Sequence, residues 1–171
     1  MDSFLIGAGI SYTMASILCA ISLAIPEWVV STDLGDINLG LFVQCQQIFG
    51  REEQCRSTES PIAWTITTLL IIAGMMLVSI GAILVVLTRK QPSLIVYPKY
   101  FGVAAGILFC LAIVLFPAGF DMPVIGGTSF LLPSTAKVGM SYGLFCMAIA
   151  CTMIGSALAL GKMYYSIIIF R

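Results

Sequence analysis

Gly40-Leu41-Phe42-Val43-Gln44-Cys45, followed after nine residues by Cys55, is the stretch on which the reading of this chain turns. It forms a polar, acidic island between the first two apolar segments and holds two of the six cysteines. On its N-terminal side, Trp28-Val29-Val30-Ser31-Thr32 has strand composition. Residues 39–48 alternate in part and are rich in β-formers. Gly50 and the charged run Arg51-Glu52-Glu53 read as a turn, after which Gln54-Cys55-Arg56 returns antiparallel. This pattern predicts a small antiparallel sheet over about residues 27–60.

Outward from that island the chain is apolar. Of its 171 residues, 60% are hydrophobic and 9% charged, where a soluble domain carries about 25% charged residues. Water cannot be the solvent for most of such a surface. Residues 4–25, 61–88, 100–120 and 138–161 carry no charge, and each is long enough to cross a bilayer as a helix. The expected fold is an all-α membrane protein of one domain, 1–171. It is a left-handed four-helix transmembrane bundle with a small antiparallel sheet between helices 1 and 2. The first span reads as an uncleaved signal anchor. Asp2 precedes it without any Lys or Arg, and no small-x-small cleavage site comes before Pro26.

Basic residues orient the spans. The segment 89–99 carries Arg89, Lys90 and Lys99 and no acid, and Lys162 and Arg171 follow the fourth span. The segment 26–60 carries Arg51 and Arg56 against Glu27, Asp33, Asp36, Glu52, Glu53 and Glu59. Both termini and the middle loop are therefore expected in the cytoplasm, with the first and third loops outside. This places Cys45 and Cys55 where a disulfide persists, so their pairing is expected, with two free thiols as the alternative. Cys19, Cys110, Cys146 and Cys151 fall within spans and read as small packing residues. The sole asparagine, Asn38, is followed by Leu and Gly, so there is no glycosylation sequon.

Small residues recur along helix faces: Gly7, Ser11, Ala15 and Cys19 in span one, Gly102, Gly106 and Cys110 in span three, Cys151, Gly155 and Ala159 in span four. Such stripes let helix backbones approach in lipid. Packing within the bundle is the plainer reading and an oligomer face the sharper one. Ser60-Pro61 is the expected start of helix 2, serine as N-cap and proline in the first turn. Pro117 should kink or end helix 3, and Pro123-Val124-Ile125-Gly126-Gly127 reads as a turn. Trp28, Trp64, Tyr97 and Tyr100 are expected as interfacial anchors. Phe42 and Phe49 read first as lipid contacts and second as a partner interface.

Chemistry is not expected. The chain has no histidine, and no acid or base interrupts the charge-free spans. That removes the usual general base, the commonest metal ligand and the groups on which pumps and proton relays depend. No phosphate-binding glycine loop is present, since Gly7-Ala8-Gly9 lies inside a span. No enzyme activity, cofactor, metal or small-molecule substrate is expected. A balanced net charge with no basic cluster leaves no case for nucleic acid, and the lipid bilayer is the expected surrounding.

Four spans, internal termini, and Trp28 followed by Gly40-Leu41-Phe42-x-x-Cys45 and Cys55 resemble the claudin and peripheral-myelin-protein superfamily. Its first extracellular loop carries Trp, then Gly-Leu-Trp-x-x-Cys, then Cys. Phe42 stands in place of that second tryptophan, and the segment from Trp28 to Gly40 is shorter than in claudins. The end Phe170-Arg171 lacks the hydrophobic residue with which claudins bind junction scaffolds.

A closer and more specific resemblance is to the modulator of smoothened family. Cys45-Gln46-Gln47-Ile48-Phe49-Gly50-Arg51 with Cys55 carries it. So do Phe116-Pro117-Ala118-Gly119-Phe120, Gly126-Gly127, Leu132-Pro133, Val138-Gly139, Ser141-Tyr142 and Gly161-Lys162. The first ten residues and 163–171 fit less well. The resemblance implies a claudin-like fold and a non-enzymatic membrane adaptor that attenuates Hedgehog signalling. Members lower Smoothened at the cell surface and in the cilium, with a single-pass receptor and a RING-type ubiquitin ligase as partners. A junction or barrier protein, or an auxiliary channel subunit, is the alternative from the wider superfamily.

Overall fold

The structure, a computed structural model, describes residues 3–31, 36–47, 54–57, 61–88, 90–121, 128–133 and 136–169. Four long helices carry it: α1 (Ser3–Ala24), α2 (Ile62–Leu87), α3 (Tyr97–Leu115) and α4 (Met140–Ile169). All four are long and apolar enough to cross a membrane. Each helix packs on two others, α1 on α2 and α4, α3 on α2 and α4, so the bundle closes as a ring. Ile10, Leu69, Ile83, Ile107 and Val114 point outward and exposed. That is the surface a helix offers to hydrocarbon rather than water.

Helix ends follow the prolines. Pro26 has no N–H to continue α1, which stops at Ala24. Pro117 converts the end of α3 into a short 3-10 helix, Phe116–Gly119, and a second 3-10 helix, Pro92–Val96, leads into α3. Three boundaries differ from the sequence reading. Pro61 occupies the N-cap position of α2 without a side-chain cap bond, rather than its first turn. Helix α3 starts at Tyr97, ahead of residue 100, and so takes Lys99 into its first turn, buried. Helix α4 starts at Met140, because Val138 is drawn into a strand, and runs past 161 to Ile169.

The sheet contains β1 (Val29–Ser31), β2 (Asp36–Leu39), β3 (Val43–Gln47), β4 (Gln54–Ser57) and β5 (Ala136–Val138). All neighbours are antiparallel in the order β4-β3-β2-β1-β5. The sequence reading placed one strand over 39–48. The chain instead folds back at Gly40–Phe42, so that Leu39 pairs with Gln44. It also confined the sheet to the segment between helices 1 and 2, whereas β5 comes from the segment between α3 and α4 and pairs with β1. Ser60, Phe49, the turn over 50–53 and the turn over 123–127 lie outside the described residues.

Candidate functional site

The most elaborated part of the molecule is the joint between sheet and bundle. It begins with an orphan carbonyl. In a helix, the Ser22 carbonyl would accept from the N–H of residue 26, but residue 26 is proline. The Trp28 indole takes that place, Nε1 donating to the Ser22 oxygen at 2.8 Å. To do so the ring turns into the protein, where it is fully buried. Phe116, Phe145 and Tyr142 surround it with ring centroids at 4.9, 5.6 and 6.0 Å. Trp28 is thus a plug between the ends of three helices, not the interfacial anchor the sequence suggested.

Trp64 departs from that expectation in the same way. It is fully buried, its ring stacks on Phe116 at 5.2 Å, and its Nε1 donates to the Phe116 carbonyl at 3.1 Å. The α-helical donor to that carbonyl is lost as α3 tightens into the 3-10 turn, where the Phe120 N–H bonds Pro117, and the indole supplies a second donor beside the turn's own backbone bond. The two tryptophans therefore flank Phe116, and each indole donates to a carbonyl at a helix end. Tyr97 and Tyr100, by contrast, stand exposed at the opposite end of the bundle.

Ser22 and Ser141 lace α1 to α4. The Ser22 hydroxyl donates to the Ser141 carbonyl at 2.7 Å, and the Ser141 hydroxyl donates to the Ile25 carbonyl at 2.9 Å. Backbone bonds from Gly139 to Trp28 and from Ser141 to Glu27 extend the lacing into the β1–β5 pair. Sequence reasoning gave Ser22 and Ser141 no role. The available signal was the spacing Ser22-x-x-x-Pro26, which leaves a carbonyl open.

Gly40 shapes the next turn. Its N–H donates to the Val43 carbonyl at 2.9 Å, and the Trp28 N–H donates to Leu39 at 2.9 Å. A β-carbon on Gly40 would stand 2.6 Å from Pro26 Cα and 2.8 Å from the Val43 oxygen, so only glycine fits against the end of α1. Within the turn Leu41 is buried, while Phe42 points away, 49% exposed. The structure thus gathers Trp28, Gly40 and Leu41 at the joint and presents Phe42 outward. Cys45 and Cys55, directly opposed on β3 and β4, are joined by a disulfide with α-carbons 4.1 Å apart.

The small residues occupy a different place. Tyr12, fully buried, lies where all four helices meet, with Gly81 of α2 also beside its ring. Gly155 lies against its ring and against Ser11, and Gly102 lies against its hydroxyl. The Tyr12 hydroxyl donates to the Pro98 carbonyl at 3.2 Å, with Ser156 Oγ also in reach at 3.4 Å. Gly7 faces Leu158, Gly106 faces Met153, and Ala15 is buried in the core. Among the described residues, no three His, Cys, Asp or Glu side chains stand close enough to hold a metal ion.

What this arrangement offers is a surface. It is a five-stranded sheet tied by a disulfide and held rigidly on four apolar helices. Residues 25–164 match the family described as Attenuator of Hedgehog. The matched stretch runs from Ile25, just before Pro26, through most of α4. It takes in the sheet, both tryptophans, and Pro98 and Ser156, the two hydrogen-bond partners of Tyr12; the chain belongs to the Attenuator of Hedgehog family.

Proposed function

We propose that the protein is a non-enzymatic membrane adaptor that attenuates Hedgehog signalling by lowering Smoothened at the cell surface and in the cilium. It acts with a single-pass receptor and a RING-type ubiquitin ligase, from the plasma membrane, with both termini in the cytoplasm and the sheet outside. The observation that carries the reading is the family match, which spans the sheet and most of the helical bundle. The geometry supports it, since a disulfide-tied sheet on a rigid joint is preorganised to receive another protein at low ordering cost. Phe42, half-exposed at the tip of the β2–β3 turn, is the side chain best placed to enter a partner's pocket.

Loss of the gene is expected to raise surface Smoothened and to sensitise cells to Hedgehog ligand. Unchanged Smoothened after loss would refute the reading. Affinity purification in mild detergent from cells expressing wild type or Cys45→Ser locates the docking site. Loss of the receptor from the variant is expected, and its full retention would move the contact off the sheet.

A further inference from the structure

At the end of the bundle opposite the sheet, Lys99 is only 9% exposed. Its Nζ lies 2.7 Å from the Met163 sulfur on α4 and 4.7 Å over the Tyr100 ring. An ammonium has three donors, and a thioether is a weak acceptor. Among the described residues, no carboxylate or oxygen acceptor reaches Lys99. A charge buried this way is unfavourable unless something of opposite sign completes it.

The position is built rather than incidental. The carbonyl of the preceding residue, Pro98, accepts from the Tyr12 hydroxyl at 3.2 Å. Tyr12 in turn is wedged between Gly102 and Gly155. Helices α1, α3 and α4 thus fix the backbone from which Lys99 extends.

The charge around it is one-sided. By their place in the chain, seven of the eight acids belong to the segments on the sheet side, and only Asp2 belongs to the other end. By the same reckoning, the segments of that other end carry Arg89, Lys90, Lys99, Lys162 and Arg171 in the sequence. The rim beside Lys99 is aromatic and apolar, with Val96, Tyr97 and Tyr100 exposed, the composition found at headgroup depth. We infer that this end of the bundle holds an anionic phospholipid, its net-negative headgroup received by the Lys99 ammonium and its chains lying along the apolar rim.

The full chain, purified in mild detergent and exchanged into an equal mixture of phosphatidylcholine and phosphatidylserine of the same acyl chains, is examined by native mass spectrometry. Wild type is expected to retain phosphatidylserine over phosphatidylcholine by about fivefold, the factor that goes with one basic residue at an anionic surface. Lys99→Met abolishes the preference, while Lys99→Arg and Lys90→Gln keep it. No preference in wild type, or an equal preference in a folded Lys99→Met, overturns the proposal. Displacement of the bound lipid by millimolar inorganic phosphate also overturns it, because the site would then belong to a free anion. Should Lys99→Met not fold, wild type and Lys99→Arg still decide, since either lacking the preference refutes the assignment.

Discussion

Ser22, Pro26 and Trp28 make one unit. A proline that ends α1 opens a carbonyl, and an indole two residues later closes it at 2.8 Å. Trp28→Phe keeps most of the ring volume and removes the N–H, so a buried carbonyl is left without a donor. The expected loss is about 1–3 kcal/mol, read as a lower midpoint of thermal unfolding in detergent. Phe42→Ser touches no such unit and should change stability by less than about 0.5 kcal/mol, while weakening partner capture. At this scale the sequence was legible in identity and not in direction. Composition marks Trp28 and Trp64 as amphipathic rings, but whether the N–H of an indole meets water or a helix-end carbonyl depends on which helix ends the fold brings beside it. The same limit explains Lys99. Charge-free length set the start of helix 3 at residue 100, whereas Pro98 is tolerated in the first helical turn and carries the lysine inside.

The sheet is the element on which local signals and long-range pairing disagree. Strand composition and the cysteine spacing disclosed β1, β3 and β4, whose residues are β-formers or flank a turn. The chain reversal at Gly40 was hidden because Leu41-Phe42-Val43 continues the apolar run and reads as strand. Strand β5, Ala136-Lys137-Val138, has too little pattern to be seen alone. It is a strand because β1 offers an edge to it. Removing both cysteines as Cys45→Ser with Cys55→Ser is expected to lower stability by about 3 kcal/mol on the chain-entropy estimate for so short a loop. Reducing and non-reducing melts of wild type and variant check it, since only wild type should respond to reductant. Gly40→Ala would press a methyl group onto the Pro26 backbone, at 2.6 Å. The expected loss is about 1–3 kcal/mol, with the larger effect on protease resistance of the sheet.

Across the whole molecule, four apolar helices and their order were plain from charge-free length alone, because lipid leaves few other solutions. The ring of contacts was not, since it depends on how one tyrosine sits among glycines on the three other helices. Tyr12→Phe removes the hydroxyl that ties that meeting point together, and about 1–2 kcal/mol of stability should go with it, seen as a lower detergent melting midpoint. With the proposed orientation, a cysteine at position 42 should react with impermeant maleimide on intact cells, and one at position 90 only after permeabilisation. The reverse pattern would invert the protein in the membrane. The pairing of β5 with β1 also sets an order of assembly. During synthesis the partners of β1 on one side, and the disulfide beyond them, are made early and close together. The partner on the other side emerges only after α3 is complete, just before α4. Until then the β1 edge has no partner on that side, and a chain arrested after α3 is expected to leave it open to pairing with other chains.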